Sequence, residues 1–178
     1  GKLQRGKPES SLGNFAADAM REGALSVTGV RPHLCFTNAG GLRRDLEEGV
    51  VTEGAVVELM PFDNGLVVFD MEGSALRQIM DRLAKRGDPV SGVRYTTSAG
   101  RLVDVIVDGQ PLDERRTYRV CTSDYVFEGG GQYPFEGARE PRYTGVLLRD
   151  LFIAAFERSQ ANGEPVVPLV DGRAKDVP

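Results

Sequence analysis

The spacing of apolar positions along the chain predicts four helices. Ser10 and Ser11 are typical capping residues, and the helix after them is expected to run to about Ala24. Its apolar face consists of Leu12, Phe15, Ala16, Ala19 and Met20. A second, short helix is expected to be capped by Thr52 and to run through Val57, because a proline that follows four residues later disfavours helical geometry.

Two further helices are expected later in the chain. Ser74 is predicted to cap the third helix and Gly87 to end it, with Leu76, Ile79, Met80 and Leu83 on its apolar face. The last helix is expected from about Gly145, with Val146, Leu147, Leu151, Phe152, Ala155 and Phe156 on one side. The tail after Asn162 is predicted to be mostly coil.

Short runs rich in apolar and β-branched residues predict five strands. They lie at 33–37, 66–71, 93–97, 102–107 and 118–122, and Asp108-Gly109 is a strong turn signal. Three helices alternate with strands, then a β-rich middle leads to the last helix. This order indicates one α+β domain over residues 1–178, an α/β sandwich in which one mixed β-sheet packs against several helices.

Composition narrows the class of protein. The 178 residues are 40% hydrophobic and 27% charged, which is typical of a soluble globular domain rather than a disordered chain. A net charge of −4 argues against binding of a nucleic-acid polymer, which requires a basic surface. No apolar run approaches the roughly 18 residues of a membrane span. The first six residues lack the apolar core of a signal peptide, so either the protein is not secreted or the signal lies outside these residues.

The chain has few residues suited to metal or thiol chemistry. His33 is the single histidine, and since paired-metal sites usually recruit several, we expect it to be a strand-entry residue rather than a ligand. Cys35 and Cys121 have no CxxC spacing, which excludes a zinc ribbon or a thioredoxin-type motif. Each lies in an apolar run, so we expect buried free thiols, with a disulfide as the alternative.

Three segments next to predicted strands are richer in glycine, polar and aromatic residues than packing requires. They run from Asn38 to Arg44, from Pro61 to Asn64 and from Asp124 to Tyr133. Glycine permits close approach of the backbone to a ligand, a guanidinium can bind a phosphate through two hydrogen bonds, and aromatic faces stack on bases. This combination suits a nucleotide. The alternative is a set of ordinary turns with Phe62 and Tyr125 as core residues.

Other kinds of site are not supported. Asp45, Glu47 and Glu48 have no partner His or Cys at metal spacing and are expected on a solvated face. The sequence has no G-x-S-x-G elbow and no P-loop. The run Gly129–Gly131 is not the G-x-G-x-x-G pattern of a dinucleotide site.

Four motifs, taken together and in order, resemble the C-terminal domain of 5′-nucleotidases. They are SLGNFAADAM at 11–20, TNAGGLR at 37–43, LMPFDN at 59–64, and Asp124-Tyr125 followed by Gly129-Gly130. The similarity extends from about residue 9 to about residue 160. The resemblance implies the fold of that domain and a role in recognising a nucleoside.

The resemblance also implies a division of labour between two domains. An N-terminal metallophosphoesterase domain of the same parent chain would hold two divalent metal ions and perform the hydrolysis, so no catalytic residue, metal or other cofactor is implied here. The nucleotide would be bound by six residues of this chain. Asn38 would contact the base, Arg43 the phosphate, Phe62 and Tyr125 would sandwich the base, and Gly40 and Gly41 would shape the loop.

Three positions depart from the family pattern, one of them Ser26, which stands where some relatives have a second phosphate-contacting Arg. Gly131 stands where the family usually has the Asp of a G-G-D-G run, which is associated with binding the ribose hydroxyls, so ribose recognition is expected to be weaker. Tyr125 replaces the more usual Phe and keeps a stacking face.

These features leave three hypotheses. The first is the nucleotide-recognition part of a 5′-nucleotidase-like phosphohydrolase, inert alone. The second is the same domain of a related hydrolase that acts on cyclic nucleotides, UDP-sugars or a sulfur-linked substrate. The third is a non-catalytic module that has lost nucleotide binding. By resemblance, the protein is expected in the periplasm, at the cell surface or outside the cell.

Overall fold

The computed structural model describes all 178 residues, which form five helices and nine strands. The helices are α1 Ser11–Thr28, α2 Glu53–Leu59, α3 Gly73–Arg86, α4 Asp124–Phe127 and α5 Leu148–Ala161. The strands are β1 Leu34–Phe36, β2 Gly65–Glu72, β3 Val90–Ser91, β4 Val93–Ser98, β5 Arg101–Val107, β6 Gln110–Pro111, β7 Thr117–Ser123, β8 Ala138–Leu147 and β9 Ala174–Val177. A single 3-10 turn spans Ala39–Gly41. No helix is both long enough and apolar enough to cross a membrane.

The strands form two sheets. The five-stranded sheet has the order β3-β1-β7-β2-β8, and the four-stranded sheet has the order β6-β5-β4-β9. In the larger sheet β1 and β7 are parallel, whereas β2 runs antiparallel to β7. The α+β expectation is confirmed, and the strands that we placed in one mixed sheet are divided between two.

The three central strands of the larger sheet, β1, β7 and β2, are buried on both faces, which explains why they read as continuous apolar runs. Along β2, Val67 and Phe69 point into a core shared with α3 and the smaller sheet. The alternate residues Leu66 and Val68 point into a second core shared with α1, α2 and α5. The molecule therefore has three layers, with the larger sheet in the middle.

The capping residues predicted for α1 and α2 act as expected. The Ser10 side chain accepts a hydrogen bond from the Gly13 N–H, and the Thr52 side chain accepts one from the Ala55 N–H. Helix α1 runs four residues beyond the predicted end, until Gly29 adopts a left-handed conformation with φ 76°.

The prediction that Ser74 caps α3 is wrong. Helix α3 begins at Gly73, and its N-cap residue, Glu72, makes no capping hydrogen bond. The free N–H groups of the first turn are satisfied from another part of the chain, because Gly73 donates to the Arg116 carbonyl and Ser74 to the Glu114 carbonyl. A tertiary contact replaces the local cap. Gly87 ends the helix in the left-handed conformation, as predicted.

The end of the chain contains two strands that the sequence did not predict. Val146 and Leu147 belong to β8 and not to the last helix, which begins at Leu148. The tail, expected to be mostly coil, contains β9, which pairs in parallel with β4 from Tyr95 opposite Ala174. Five of the first six residues of β8 are exposed, so this edge strand has no apolar alternation to reveal it.

The expectation of free thiols is also wrong, because Cys35 and Cys121 form a disulfide. The two residues face each other on the parallel strands β1 and β7, with their Cα atoms 4.5 Å apart. His33 lies at the entry to β1, as predicted. Its Nδ1 accepts a hydrogen bond of 2.8 Å from the Arg119 N–H, so this nitrogen has a structural role at the end of β7.

Candidate functional site

The three candidate segments meet at one edge of the five-stranded sheet. Strands β1 and β7 are parallel, so the segments that follow them, beginning at Asn38 and at Asp124, leave the sheet at the same edge. Strand β2 is antiparallel to β7, with Leu66 opposite Ser123, so the segment that contains Phe62 enters the sheet at that edge. The topology thus brings together three segments that are separated in the chain, by 17 positions from Arg44 to Pro61 and by 60 from Asn64 to Asp124.

Asn38 lies in a tightly held turn. The N–H groups on either side of it are both bound, that of Thr37 by the Pro89 carbonyl at 3.2 Å and that of Ala39 by Asp88 Oδ1 at 2.9 Å. The Asn38 side-chain amide has no hydrogen-bonding partner within the protein, which leaves both its donor and its acceptor groups free. A Cβ atom at Gly41 would lie 3.4 Å from Asn38 Oδ1, an ordinary van der Waals contact, so Gly41 lies directly beside this amide.

Arg43 follows this turn and is exposed. Its N–H donates to the Leu59 carbonyl at 2.8 Å, which fixes the turn against the end of α2 and therefore next to the Phe62 segment. The guanidinium lies over its own turn, where Nη1 donates to the Gly40 carbonyl at 3.2 Å, and it forms no ion pair. The neighbouring Arg44 is paired with Glu58. Arg43 is therefore the free cation of the two.

Phe62 and Tyr125 are both exposed, with 44% and 53% of their surface accessible. The interpretation of these two rings as core residues is therefore wrong. One carboxylate connects their segments, because Asp124 Oδ2 accepts the Gly65 N–H at 2.8 Å and Asp124 Oδ1 accepts the Tyr125 N–H at 2.6 Å. The two rings thus project from neighbouring, mutually anchored strand ends.

The glycine run beside Tyr125 forms a loop that requires left-handed backbone. Gly129, Gly131 and Gln132 have φ of 114°, 84° and 58°. The guanidinium of Arg82, on α3, holds this loop through two hydrogen bonds of 2.9 and 3.0 Å to the Gly131 carbonyl. Position 131, where the family usually has Asp, is therefore a position where the backbone conformation suits glycine.

Sequence reasoning missed Asp88, which contacts two of the candidate segments. Its side chain is buried and binds Ala39, Arg86 and Tyr133, with the Tyr133 hydroxyl 2.6 Å from Oδ2. Burial, together with the negative charge of Asp88, raises the pKa of Tyr133, so this hydroxyl stays protonated and donates. The sequence Gly87-Asp88-Pro89 has the signal of a turn after a helix and nothing that distinguishes a buried carboxylate.

The resemblance assigns its two metal ions to another domain of the parent chain. No group of three or more His, Cys, Asp or Glu side chains lies close enough together to hold a metal ion, so we derive no step through metals. Of the candidate residues, Gly40, Arg43, Phe62 and Tyr125 are exposed, Asn38 is half-buried and Gly41 is buried. A concavity of about 580 Å³ lies elsewhere, between the segment Leu46–Val51 and the end of α5, and contains none of the six candidate residues.

Comparison with known proteins identifies the family to which the chain belongs. The family model described as 5′-nucleotidase, C-terminal domain matches residues 2–137. The chain is 33% identical over 187 residues to the trifunctional nucleotide phosphoesterase protein YfkN of Bacillus subtilis, covering 95% of this chain and 12% of YfkN. It is 31% identical over 185 residues to the cell wall protein Lmo0130 of Listeria monocytogenes, covering 93% of this chain and 23% of Lmo0130.

The fold agrees with these sequence matches. The crystal structure of a 5′-nucleotidase precursor from Thermus thermophilus superimposes with a TM-score of 0.87 and 26% identity, covering 99% of this chain and 38% of that protein. The chain therefore spans well under half the length of each of these three proteins. A family match over most of the chain and a fold shared over nearly all of it lead to one conclusion: the chain belongs to the family of 5′-nucleotidase C-terminal domains.

Proposed function

We propose that this chain is the nucleotide-recognition domain of a longer 5′-nucleotidase-like phosphohydrolase and is not catalytic alone. In this proposal, Phe62 and Tyr125 stack on the two faces of the base and Arg43 binds the phosphate. The observation that carries it is the exposure of both rings at the ends of neighbouring strands that Asp124 ties together.

The exposure of Phe62 is unusual within this chain. It is the only exposed one among eight phenylalanines, the rest being buried or half-buried. A phenylalanine costs about 1.5 to 3 kcal/mol to leave in water rather than bury. An exposed Phe62 in a segment that Asp124 ties to the exposed Tyr125 therefore favours a binding role. Stacking of a base on such rings contributes about 1 to 3 kcal/mol per aromatic residue.

The polar groups around the rings complement a nucleotide. Arg43 forms no ion pair, so its guanidinium can reorient from the Gly40 carbonyl to a phosphate without breaking a salt bridge. The free amide of Asn38 can donate to and accept from the edge of a base. The absence of a carboxylate at Gly131 leaves the ribose as the part of the ligand with fewest contacts.

Hydrolysis in this proposal takes place on another domain of the same parent chain. The relatives are several times longer than this chain, which supports a partner domain of metallophosphoesterase type. The role of these residues is then to hold the base and orient the phosphate. Positioning of this kind lowers the entropic part of the barrier to reaction.

A second candidate function is the same role in a related hydrolase with a different substrate, such as a cyclic nucleotide, a UDP-sugar or a sulfur-linked substrate. The name of YfkN describes a trifunctional nucleotide phosphoesterase, and the glycine at position 131 relaxes one expected contact of the ribose. Both observations favour a site that tolerates variation around the sugar and phosphate.

We further propose that the protein is exported to the periplasm, the cell surface or the exterior. The disulfide between Cys35 and Cys121 supports this, because disulfides persist in oxidising compartments. The similarity to a cell wall protein supports it as well.

Titration of this chain with AMP and adenosine, followed by NMR and calorimetry, tests the proposed binding. We expect shifts of the Phe62 and Tyr125 resonances at millimolar ligand. Phe62→Leu should weaken binding about tenfold, because it keeps an apolar side chain but removes the stacking face, whereas Phe62→Tyr should retain affinity. Absence of shifts with either ligand, or equal affinity in the Leu and Tyr variants, would contradict the proposal.

A further inference from the structure

We propose that Asp88 is the positioning residue of this nucleotide site, holding the turn that carries Asn38 in register with the glycine loop beside Tyr125. The inference rests on the proposed function, because it assigns how that site is kept in its binding geometry. Asp88 touches none of the proposed ligand atoms and acts through the backbone and through Tyr133.

Both oxygens of the Asp88 carboxylate are engaged. Oδ1 accepts the Ala39 N–H at 2.9 Å, and Oδ2 accepts the Tyr133 hydroxyl and Arg86 Nε, each at 2.6 Å. Asp88 is only 3% exposed. A buried carboxylate is costly unless it is paired and hydrogen-bonded, and here the Arg86 guanidinium supplies the charge.

Asp88 therefore makes two sets of contacts, which we call its two arms, one to Ala39 and one to Tyr133. The first arm fixes the backbone around Asn38. Asp88 binds the N–H of Ala39, and the next residue, Pro89, binds the N–H of Thr37 through its carbonyl. Two consecutive residues after α3 thus anchor the two neighbours of Asn38. The backbone that carries the Asn38 side chain is held in one place before any ligand arrives, which reduces the entropy lost on binding.

The second arm reaches Tyr125. The Tyr133 ring packs on Phe36 with centroids 5.0 Å apart, and its hydroxyl is tied to Asp88. Tyr133 closes the glycine loop, in which the Gly130 N–H donates to the Tyr125 carbonyl at 2.8 Å. A shift of Tyr133 therefore propagates through a short loop to the stacking residue.

Removing the carboxylate would release both arms together. Asp88→Ala leaves the Ala39 N–H and the Tyr133 hydroxyl without their partner and leaves the Arg86 charge unpaired. Asp88→Asn keeps an acceptor for Ala39 and loses the charge. Tyr133→Phe keeps the packed ring and removes only the second arm.

Asp70 provides a matched control. Its two oxygens accept from Arg119 Nε and Nη2 at 2.9 and 3.0 Å, so it is likewise a carboxylate paired with an arginine, although it is half-buried and Asp88 is buried. It lies five residues beyond Gly65 along β2, about 17 Å from the site edge at the usual rise of a strand. Loss of this pair should affect stability without affecting the site.

The test measures AMP affinity, thermal stability and hydrogen exchange of the Ala39 amide in this chain and its variants. We expect Asp88→Ala to weaken binding about tenfold and to speed exchange at Ala39, Asp88→Asn to recover part of both, and Tyr133→Phe to lose about threefold in affinity. Asp70→Ala should lower the melting temperature and leave affinity unchanged. Partial recovery of AMP affinity and of slow exchange at Ala39 in Asp88→Asn distinguishes a positioning role of Asp88 from general destabilisation of the fold.

The outcomes separate the two proposals. If the unmodified chain binds no AMP, the proposed function fails. If the unmodified chain binds AMP and the Asp88 and Tyr133 variants bind equally well, only the assignment of Asp88 is overturned. If both Asp88 variants fail to fold, unchanged affinity in Tyr133→Phe overturns the assignment and a loss of affinity supports it.

Discussion

Gly130 packs directly against Tyr125. A Cβ atom at position 130 would lie 2.5 Å from the Tyr125 carbonyl oxygen and 2.6 Å from its Cδ1 atom, which is closer than real Cβ contacts. The Gly130 N–H also donates to the Tyr125 carbonyl at 2.8 Å. Glycine is therefore required here by close approach, and the ring of Tyr125 occupies the space that a side chain would need.

We predict that Gly130→Ala weakens nucleotide binding about tenfold, because the methyl group displaces the Tyr125 ring from its stacking position. Calorimetric titration with AMP measures the effect. The matched control is Gly54→Ala on α2, where the nearest atom to the new methyl group is 3.8 Å away. Equal affinities in the two variants would mean that Tyr125 does not contact the ligand.

Arg43 and Arg44 form a natural pair for testing phosphate recognition. Arg43 forms no ion pair and Arg44 is paired with Glu58, although the two residues are adjacent and both exposed. We predict that Arg43→Ala lowers affinity for AMP by about three- to tenfold and leaves affinity for adenosine unchanged. Arg44→Ala should change neither affinity. A similar loss for both ligands would assign Arg43 to the base or to the fold instead.

The sequence predicted best those elements whose signals are local. The caps at Ser10 and Thr52, the stop at Gly87 and the buried run of β2 all have residue patterns that determine structure within a few positions. These elements form the helices and the central strands. They were enough to place the three candidate segments next to strands.

Elements that depend on distant contacts were missed. Strand β8 lies at the sheet edge and is mostly exposed, and β9 is a strand because β4 offers it an unpaired edge. Asp88 is functional in our proposal only because folding buries it between two loops. The pairing of Cys35 with Cys121 follows from the register of β1 and β7, which is set by the whole sheet.

The disulfide predicts a strong dependence of stability on redox conditions. It closes a loop between residues 86 positions apart, for which the chain-entropy relation gives about 4.6 kcal/mol of stabilisation. Reductant should therefore lower the midpoint of urea unfolding substantially. The double variant Cys35→Ala/Cys121→Ala is the control, because its midpoint should not respond to reductant. An unchanged midpoint for the unmodified protein would show that the disulfide does not stabilise the fold.

We expect Asp171 to contribute to the loss of folding stability in acid. Hydrogen bonds from the Arg173 side chain lower the pKa of Asp171, so its stabilising contribution is complete above the ordinary carboxyl value of about 4 and is lost as the pH falls through the lowered folded value. Asp171→Asn should cost about 1 kcal/mol at neutral pH and little in strong acid.

Melting temperatures measured across this acid range check the prediction for Asp171. Asp104 lies on β5 and forms no ion pair or side-chain hydrogen bond, so Asp104→Asn is the control and should give the same profile as the unmodified chain. A constant difference between Asp171→Asn and the unmodified chain at every pH would contradict the proposed ionic contribution.

The central claim is that two exposed rings hold the base between them, and intermolecular nuclear Overhauser effects measure this directly. With adenosine bound to the isotope-labelled chain, we predict contacts from the base protons H2 and H8 to the ring protons of both Phe62 and Tyr125. Adenosine that binds with base contacts to neither ring, or only to residues away from this sheet edge, would contradict the claim.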